Sequence, residues 1–174
     1  MVDPKLNIQL RKSQHTDLPF LRAMLYEAVF WRESADKPSF ETGLAFPEVR
    51  KALADWGKRA GDNAVIAEID STPVGAAWMR YWTDENPIRG YLQEDTPVLV
   101  IGVDADYRHQ GIGKQLMAWM IAYASKHCIE QISLMVSKDN YAQKLYRQQG
   151  FVAYADRGDS LLMVRQVAYQ NKVA

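Results

Sequence analysis

The stretch from Val98 to His127 constrains the fold of this chain more than any other. It begins with an almost wholly apolar run, Val98 to Val103, which predicts a buried β-strand. A glycine-bearing turn, Arg108 to Gly113, follows, and an apolar pattern of helical period then continues to His127. A strand, a turn and a helix whose first backbone N–H groups are left open form an arrangement suited to binding a phosphate.

Composition places the chain among single-domain globular proteins. Its 174 residues suffice for one domain with a substantial core, and 48% of them are apolar. Lys plus Arg equals Asp plus Glu, at 21 each, so the charge balance favours neither nucleic acid nor a membrane as a partner. The single cysteine, Cys128, excludes an intramolecular disulfide, and no signal-like segment opens the chain. We therefore expect one domain over residues 1–174, located in the cytoplasm.

The rest of the sequence alternates between strand and helix patterns. Alternation and turn residues predict strands at 6–11, 63–69, 74–82, 131–136, 151–155 and 160–167. Helices are expected after Pro19, from Pro47 to near Gly61, and from Asn140 to Gln149. Residues 34–46 are expected to be loop or irregular helix, and residues 83–95 an exposed connection. This order favours an α+β (mixed α/β) fold with helices on both faces of a sheet.

The glycine turn fits one of three phosphate-binding patterns. A Walker loop, G-x-x-x-x-G-K-[S/T], is excluded because Gln115 follows Lys114 and Arg108 stands at the first glycine. A Rossmann turn, G-x-G-x-x-[G/A], is excluded because no third small residue follows Gly111 and Gly113. The third pattern, [R/Q]-x-x-G-x-[G/A] between a strand and a helix, is matched in full.

With this pattern the chain resembles the GNAT superfamily of acyl-CoA-dependent N-acetyltransferases. Two blocks carry the resemblance, Val98 to Gln115 and Asn140 to Phe151. The second is similar to the family's N-x-x-A-x-x-x-Y-x-x-x-G-F signature, with Ala142 standing one place early. The resemblance implies a GNAT-like domain: a central, mostly antiparallel twisted sheet of about six to seven strands with a parallel splayed pair, and about four helices on both faces.

The resemblance also implies an acetyl-CoA site and no metal. The strand backbone would meet the pantetheine arm and stabilise an oxyanion, and the glycine turn would hold the pyrophosphate beside the positive charges of Arg108 and Lys114. Asn140 would touch the CoA arm, cap a helix, or do both. Gly102 indicates a β-bulge or close packing, and both interpretations are open. The expected cofactor-binding residues are Ile101, Gly102, Val103, Arg108, His109, Gln110, Gly111, Ile112, Gly113, Lys114 and Asn140.

The implied reaction is direct attack of a primary amine on acetyl-CoA in a ternary complex. Tyr146 matches the family's tyrosine acid, since a phenol of pKa about 10 is neutral at pH 7 and can donate to a leaving thiolate; the alternative is a core or rim tyrosine. The family's strand glutamate is absent, because Pro97 occupies its position. The alternative function is therefore a non-catalytic acyl-CoA-binding regulatory module. The candidates for a general base are Glu27, Glu33, Glu94 and Asp95.

Aromatic residues are concentrated where the acceptor amine is expected to bind. An aromatic wall with a carboxylate suits a cationic amine that bears an apolar group, so Glu27, Trp31 and Trp78 are the predicted substrate-binding residues. The acceptor itself is expected to be a small-molecule or peptide amine. The three histidines are too scattered to indicate a metal site. Dimerisation through the C-terminal strands is an open expectation that no particular residue supports.

Overall fold

The described part of the chain, residues 7–168 of a computed structural model, is built on one seven-stranded sheet. In chain order its strands are β1 (Ile8–Lys12), β2 (Asn63–Ile69), β3 (Thr72–Arg80), β4 (Val98–Val103), β5 (Gln131–Ser137), β6 (Val152–Asp156) and β7 (Ser160–Gln166). Their order across the sheet is β1-β2-β3-β4-β5-β7-β6, and only β4 and β5 are parallel. The predicted fold class is thereby confirmed; Leu6, at the start of the first predicted strand, lies outside the described residues.

Helices pack on both faces of the sheet. They are α1 (Leu18–Val29), α2 (Phe40–Ala45), α3 (Pro47–Ala52), α4 (Ile112–Lys126) and α5 (Ala142–Gln148). Helix α2 forms inside the segment predicted as loop or irregular helix, and it begins where the Ser39 hydroxyl accepts a hydrogen bond from the Thr42 N–H at 3.2 Å. Between residues 7 and 168, no helix has the length and apolar character needed to cross a membrane.

Helix α3 is shorter than predicted. It begins at Pro47 as expected, but it ends at Ala52 and does not reach Gly61. Beyond its end, Asp55 and Gly57 adopt left-handed backbone, with φ of +54° and +84°. A right-handed helix cannot include such residues, so the chain turns here instead.

Strands β4 and β5 separate after a single pairing. Val98 lies opposite Ser133, and the Ser133 N–H donates to the Pro97 carbonyl at 3.1 Å. Beyond this point the described sheet has no β4–β5 pairs, so the strands diverge towards their carboxyl ends. The predicted splayed parallel pair is thus present, and it leaves a gap in the middle of the sheet.

Gly102 allows α1 to lie directly on β4. A Cβ at this position would stand 2.1 Å from the carbonyl oxygen of Met24 in α1. The β3–β4 register is continuous along all six residues of β4, so the interpretation of Gly102 as a bulge is wrong and that of close packing is correct. On the other face, a Cβ at Gly75 would stand 3.0 Å from Ile112 of α4. Helices α1 and α4 therefore cover opposite faces of the sheet.

A buried ion pair fixes the end of β3. The Arg80 guanidinium binds both carboxylate oxygens of Asp62, at 2.7 and 2.8 Å, and also donates to the carbonyls of Ala52 and Ala54. Only 1% and 3% of the Arg80 and Asp62 side chains are exposed, and the guanidinium lies 5.2 Å from the ring centre of Trp56. These contacts hold the segment after α3 against the sheet.

Candidate active site

A cavity of about 560 Å³ occupies the gap between β4 and β5. Its walls come from elements on both faces of the sheet, so it runs through the sheet at the point where the strands diverge. The residues that line it include Val98–Val103 of β4, 134–137 of β5, 107–109 and 111–114 of the glycine turn, and residues from α1, α3 and α5.

The glycine turn presents open backbone N–H groups to this cavity. Gly111 precedes α4 in left-handed backbone, with φ +84°, and no side chain caps the helix there. The first amides of a helix have no carbonyl partner of their own and form the positive end of its dipole. A Cβ added at Gly111 would meet no atom within 4 Å, so the backbone is approachable from this side. These features fit the predicted phosphate-binding turn.

Arg108 is directed away from this turn and towards α1. Its guanidinium forms an ion pair with Glu27, at 2.5 Å, and donates to the carbonyls of Trp31 and Val103 at 3.2 and 3.3 Å. Its charge is therefore neutralised, which does not fit the expected contribution to phosphate binding. Lys114 lines the cavity and has no ion pair among the described residues, so its charge is available near the turn.

Three further residues of the predicted cofactor set have local partners. The Gln110 side chain donates to the Asp106 carbonyl at 3.2 Å and does not line the cavity. His109 lines the cavity with left-handed backbone, φ +62°, and its ring lies 4.6 Å from that of Tyr141. Asn140 lines the cavity as well, and its side-chain oxygen accepts from the Ala142 N–H at 2.8 Å, so it also orders the start of α5.

Tyr146 projects from α5 into the cavity. The pKa of the Tyr146 phenol is raised to about 12. Burial is the main cause, and the nearby Tyr141 adds to it. The phenol is therefore neutral at physiological pH and carries a proton to donate. Its hydroxyl has no hydrogen-bond partner within the described residues, which leaves it available to a ligand in the cavity.

The predicted acceptor residues separate into two groups. Trp31 and Glu27 line the cavity, but Trp78 does not. Trp78 is 1% exposed and packs in the hydrophobic core on the α1 face of β3, so its assignment to the substrate site is wrong. Alternation along β3 identified two faces, but it did not indicate that a helix covers the face that carries Trp78.

None of the predicted candidates for the general base provides the cavity with an unpaired carboxylate. Glu27 is paired with Arg108. Glu33 binds Lys37 at 2.9 Å, and neither Glu94 nor Asp95 lines the cavity.

Among the polar residues of the cavity wall that the sequence analysis missed are Glu48, Arg89 and Ser160. Glu48 lies on α3, is exposed, and has no hydrogen-bond or ion-pair partner for its carboxylate among residues 7–168. Arg89, from the connection between β3 and β4, donates to the Ser160 hydroxyl at 2.9 Å. These residues come from three distant parts of the chain. Apart from the Pro47 helix start beside Glu48, no local signal marks them.

Comparison with known proteins identifies the family. The model described as "Acetyltransferase (GNAT) family" matches residues 26–151. A mycothiol acetyltransferase from Thermobispora bispora is 28% identical over 124 residues, which is 71% of this chain and 40% of that protein. The chain thus spans well under half the length of this curated relative.

Solved structures share the fold. The PaiA N-acetyltransferase of Thermoplasma acidophilum, solved in complex with coenzyme A, superposes with a TM-score of 0.63 at 20% identity, covering 92% of this chain and 99% of that one. The ribosomal-protein-S18-alanine N-acetyltransferase of Escherichia coli gives a TM-score of 0.65 at 19% identity, covering 96% and 98%. The resemblance inferred from the two sequence blocks is confirmed. The chain belongs to the acetyltransferase (GNAT) family.

Proposed function

We propose that the protein is an N-acetyltransferase that moves an acetyl group from acetyl-CoA to a primary amine by direct attack in a ternary complex. The observation that carries this proposal is the position of Tyr146, whose free, neutral hydroxyl opens into the same cavity as the glycine turn. A protein that only bound acyl-CoA would not need a proton donor there. The acceptor is a small-molecule or peptide amine.

The residues present fit an acyl-CoA donor. The amides of Gly111 to Lys114 would hold the pyrophosphate, with the Lys114 ammonium beside them. The β4 edge that faces β5 is paired only at Val98, so the backbone groups of Ile101 to Val103 are available to an extended pantetheine arm. A β4 N–H aimed at the thioester would stabilise the oxyanion that develops there.

Tyr146 completes the donor half of the reaction. The amine nitrogen forms a bond to the carbonyl carbon, the bond from that carbon to sulfur breaks, and the sulfur leaves with the electron pair. The Tyr146 hydroxyl donates a hydrogen bond to this sulfur as negative charge develops on it. The ammonium loses two protons on becoming an amide: one ends on the CoA sulfur, so that CoA leaves as the thiol, and the other is released to solvent.

The test combines calorimetry with acetyl-CoA and an assay of CoA release over a panel of amines. We expect binding and turnover by the wild type, and a fall in kcat of about a hundredfold in Tyr146→Phe. Tyr154→Phe is the matched control, since Tyr154 is 63% exposed on β6 and does not line the cavity. Binding without turnover of any amine would instead identify a non-catalytic acyl-CoA-binding module.

A further inference from the structure

The two ends of the cavity lie on opposite faces of the sheet. Helix α5 packs beside α4, since a Cβ at Gly113 would stand 3.3 Å from Leu145. The glycine turn and Tyr146 therefore enter from the α4 face. The other end belongs to the α1 face, where the wall is formed by α3 and by the connection between β3 and β4.

The connection between β3 and β4 closes the narrow end of the gap on the α1 face. A Cβ at Gly90 would stand 2.9 Å from the Val98 side chain and 3.2 Å from the Met135 nitrogen. Val98 is four residues before Gly102, so alternation places its side chain on the α1 face with that of Gly102. The Lys51 ammonium of α3 also donates to the Pro87 carbonyl, which holds α3 against this connection. The predicted exposed connection is thus partly a wall of the site.

Two opposite charges occupy this end of the cavity. Glu48 lies one helical turn before Lys51, and Arg89 lies two residues after Pro87, so the Lys51–Pro87 contact brings their segments together. The same two segments also contribute three apolar residues to the cavity wall, Val49, Ala52 and Ile88. The described part of the chain thus offers an incoming amine a carboxylate, an apolar surface and a guanidinium.

The Arg89 guanidinium is held in place but remains able to bind an anion. It donates to the Ser160 hydroxyl at 2.9 Å, and that hydroxyl donates to Asp159 at 2.7 Å. Arg89 also forms an ion pair with Asp159 across 3.6 Å, in which the two side chains are 64% and 82% exposed. This distance is too long for a hydrogen bond, so guanidinium donors are free to bind a carboxylate in the bidentate manner that arginine favours.

We propose that the acceptor is an amine that also bears a carboxylate, such as an amino acid with an apolar side chain. The proposal rests on the proposed function. Arg89 binds the acceptor carboxylate, and Val49, Ala52 and Ile88 contact its side chain. Glu48 binds the ammonium and accepts its proton, which leaves a neutral amine whose lone pair can attack the thioester. The proton passes from Glu48 to solvent before the next turnover.

The experiment compares amino acids with their decarboxylated counterparts. The acceptors are leucine and phenylalanine, with isopentylamine and phenethylamine as partners that lack only the carboxylate. We expect kcat/KM for each amino acid to exceed that of its partner by about tenfold or more in the wild type. In Arg89→Ala the ratio of kcat/KM for the amino acid to that for its partner should fall towards one, mainly because KM for the amino acid rises. Arg89→Lys should restore part of this ratio.

Matched variants separate these roles from general effects of charge. Arg157→Ala removes an exposed arginine in the β6–β7 turn, outside the cavity wall, and should leave the ratio unchanged. Glu48→Gln should lower kcat/KM for both members of a pair, while Glu41→Gln on neighbouring α2 should not.

The outcomes distinguish the two proposals. The proposal of a carboxylate-bearing acceptor would be overturned if the wild type turned over amines with a kcat/KM ratio near one. It would also be overturned if Arg89→Ala left that ratio unchanged. Either result would leave the proposed function intact. Turnover of no amine at all would overturn both.

Discussion

Arg108 forms a close ion pair with Glu27, with 2.5 Å between Nη2 and Oε2. Both side chains are mostly buried, at 13% and 19% exposure, and the guanidinium also donates to the Trp31 carbonyl just beyond the end of α1. The arginine of the glycine turn thus connects this turn to α1. In the proposed acyl-CoA site its contribution is therefore to position the turn, which leaves the turn's own amides available to the ligand.

Replacing Arg108 should therefore affect stability more directly than phosphate recognition. We expect Arg108→Ala to lower the free energy of unfolding by about 3 kcal/mol, because the Glu27 carboxylate is left buried without its partner. Urea unfolding measures this loss, and the double variant with Glu27→Ala should recover part of it. A stable Arg108→Ala protein that had lost most of its affinity for CoA would contradict the positional role.

The predictable part of the fold was encoded locally. The apolar run of β4 and the glycines of the turn determine a strand, a turn and a helix through neighbouring residues, so their pattern is legible in the sequence. The early end of α3 could not be predicted from the sequence in this way. Asp55 adopts left-handed backbone there, a conformation that aspartate permits but does not require.

The proposed acceptor end of the cavity was beyond prediction for a different reason. Glu48, Arg89 and Ser160 line one cavity only because β4 and β5 diverge and the connection at 83–95 folds back against that gap. Similarly, the family pattern identified Arg108 but not its partner, since Glu27 is far away in sequence. Local patterns predicted β4 and the glycine turn, whereas tertiary packing determines which residues line the other end of the cavity.

Gly102 should tolerate no side chain. A Cβ there would stand 2.1 Å from the Met24 carbonyl oxygen, so Gly102→Ala must push α1 away from β4 and should destabilise the protein by about 3 kcal/mol. Gly57→Ala is the control, because its Cβ would meet nothing within 4 Å and only its left-handed backbone opposes the change, at about 1 kcal/mol. If thermal unfolding showed that the two variants lose equal stability, the close α1–β4 contact would not be the cause of the loss in Gly102→Ala.

The Arg80–Asp62 pair should behave as a buried ion pair. Arg80→Ala leaves the Asp62 carboxylate and two backbone carbonyls without donors, and we expect a loss of about 4 kcal/mol. Replacing both partners, as in Arg80→Met with Asp62→Leu, should cost less than the single change. By contrast, Lys58→Ala should have little effect, since its pair with Asp55 spans 3.7 Å on the surface. Chemical denaturation of these three variants, beside the wild type, tests the order.

The dependence of rate on pH should reveal the state of Tyr146. Its pKa of about 12 means that the phenol stays protonated, and able to donate, throughout the range in which an alkyl ammonium loses its proton. We therefore expect log kcat/KM to rise at low pH as the base that accepts the ammonium proton becomes ionised, and to show no descending limb caused by the phenol below about pH 10. Tyr146→Phe should lower the whole profile and leave the rising limb in place, because that limb reports on the base and not on the phenol. A wild-type profile that fell below about pH 10, with the fall absent in Tyr146→Phe, would mean that the phenol ionises within this range and is not held neutral by its surroundings.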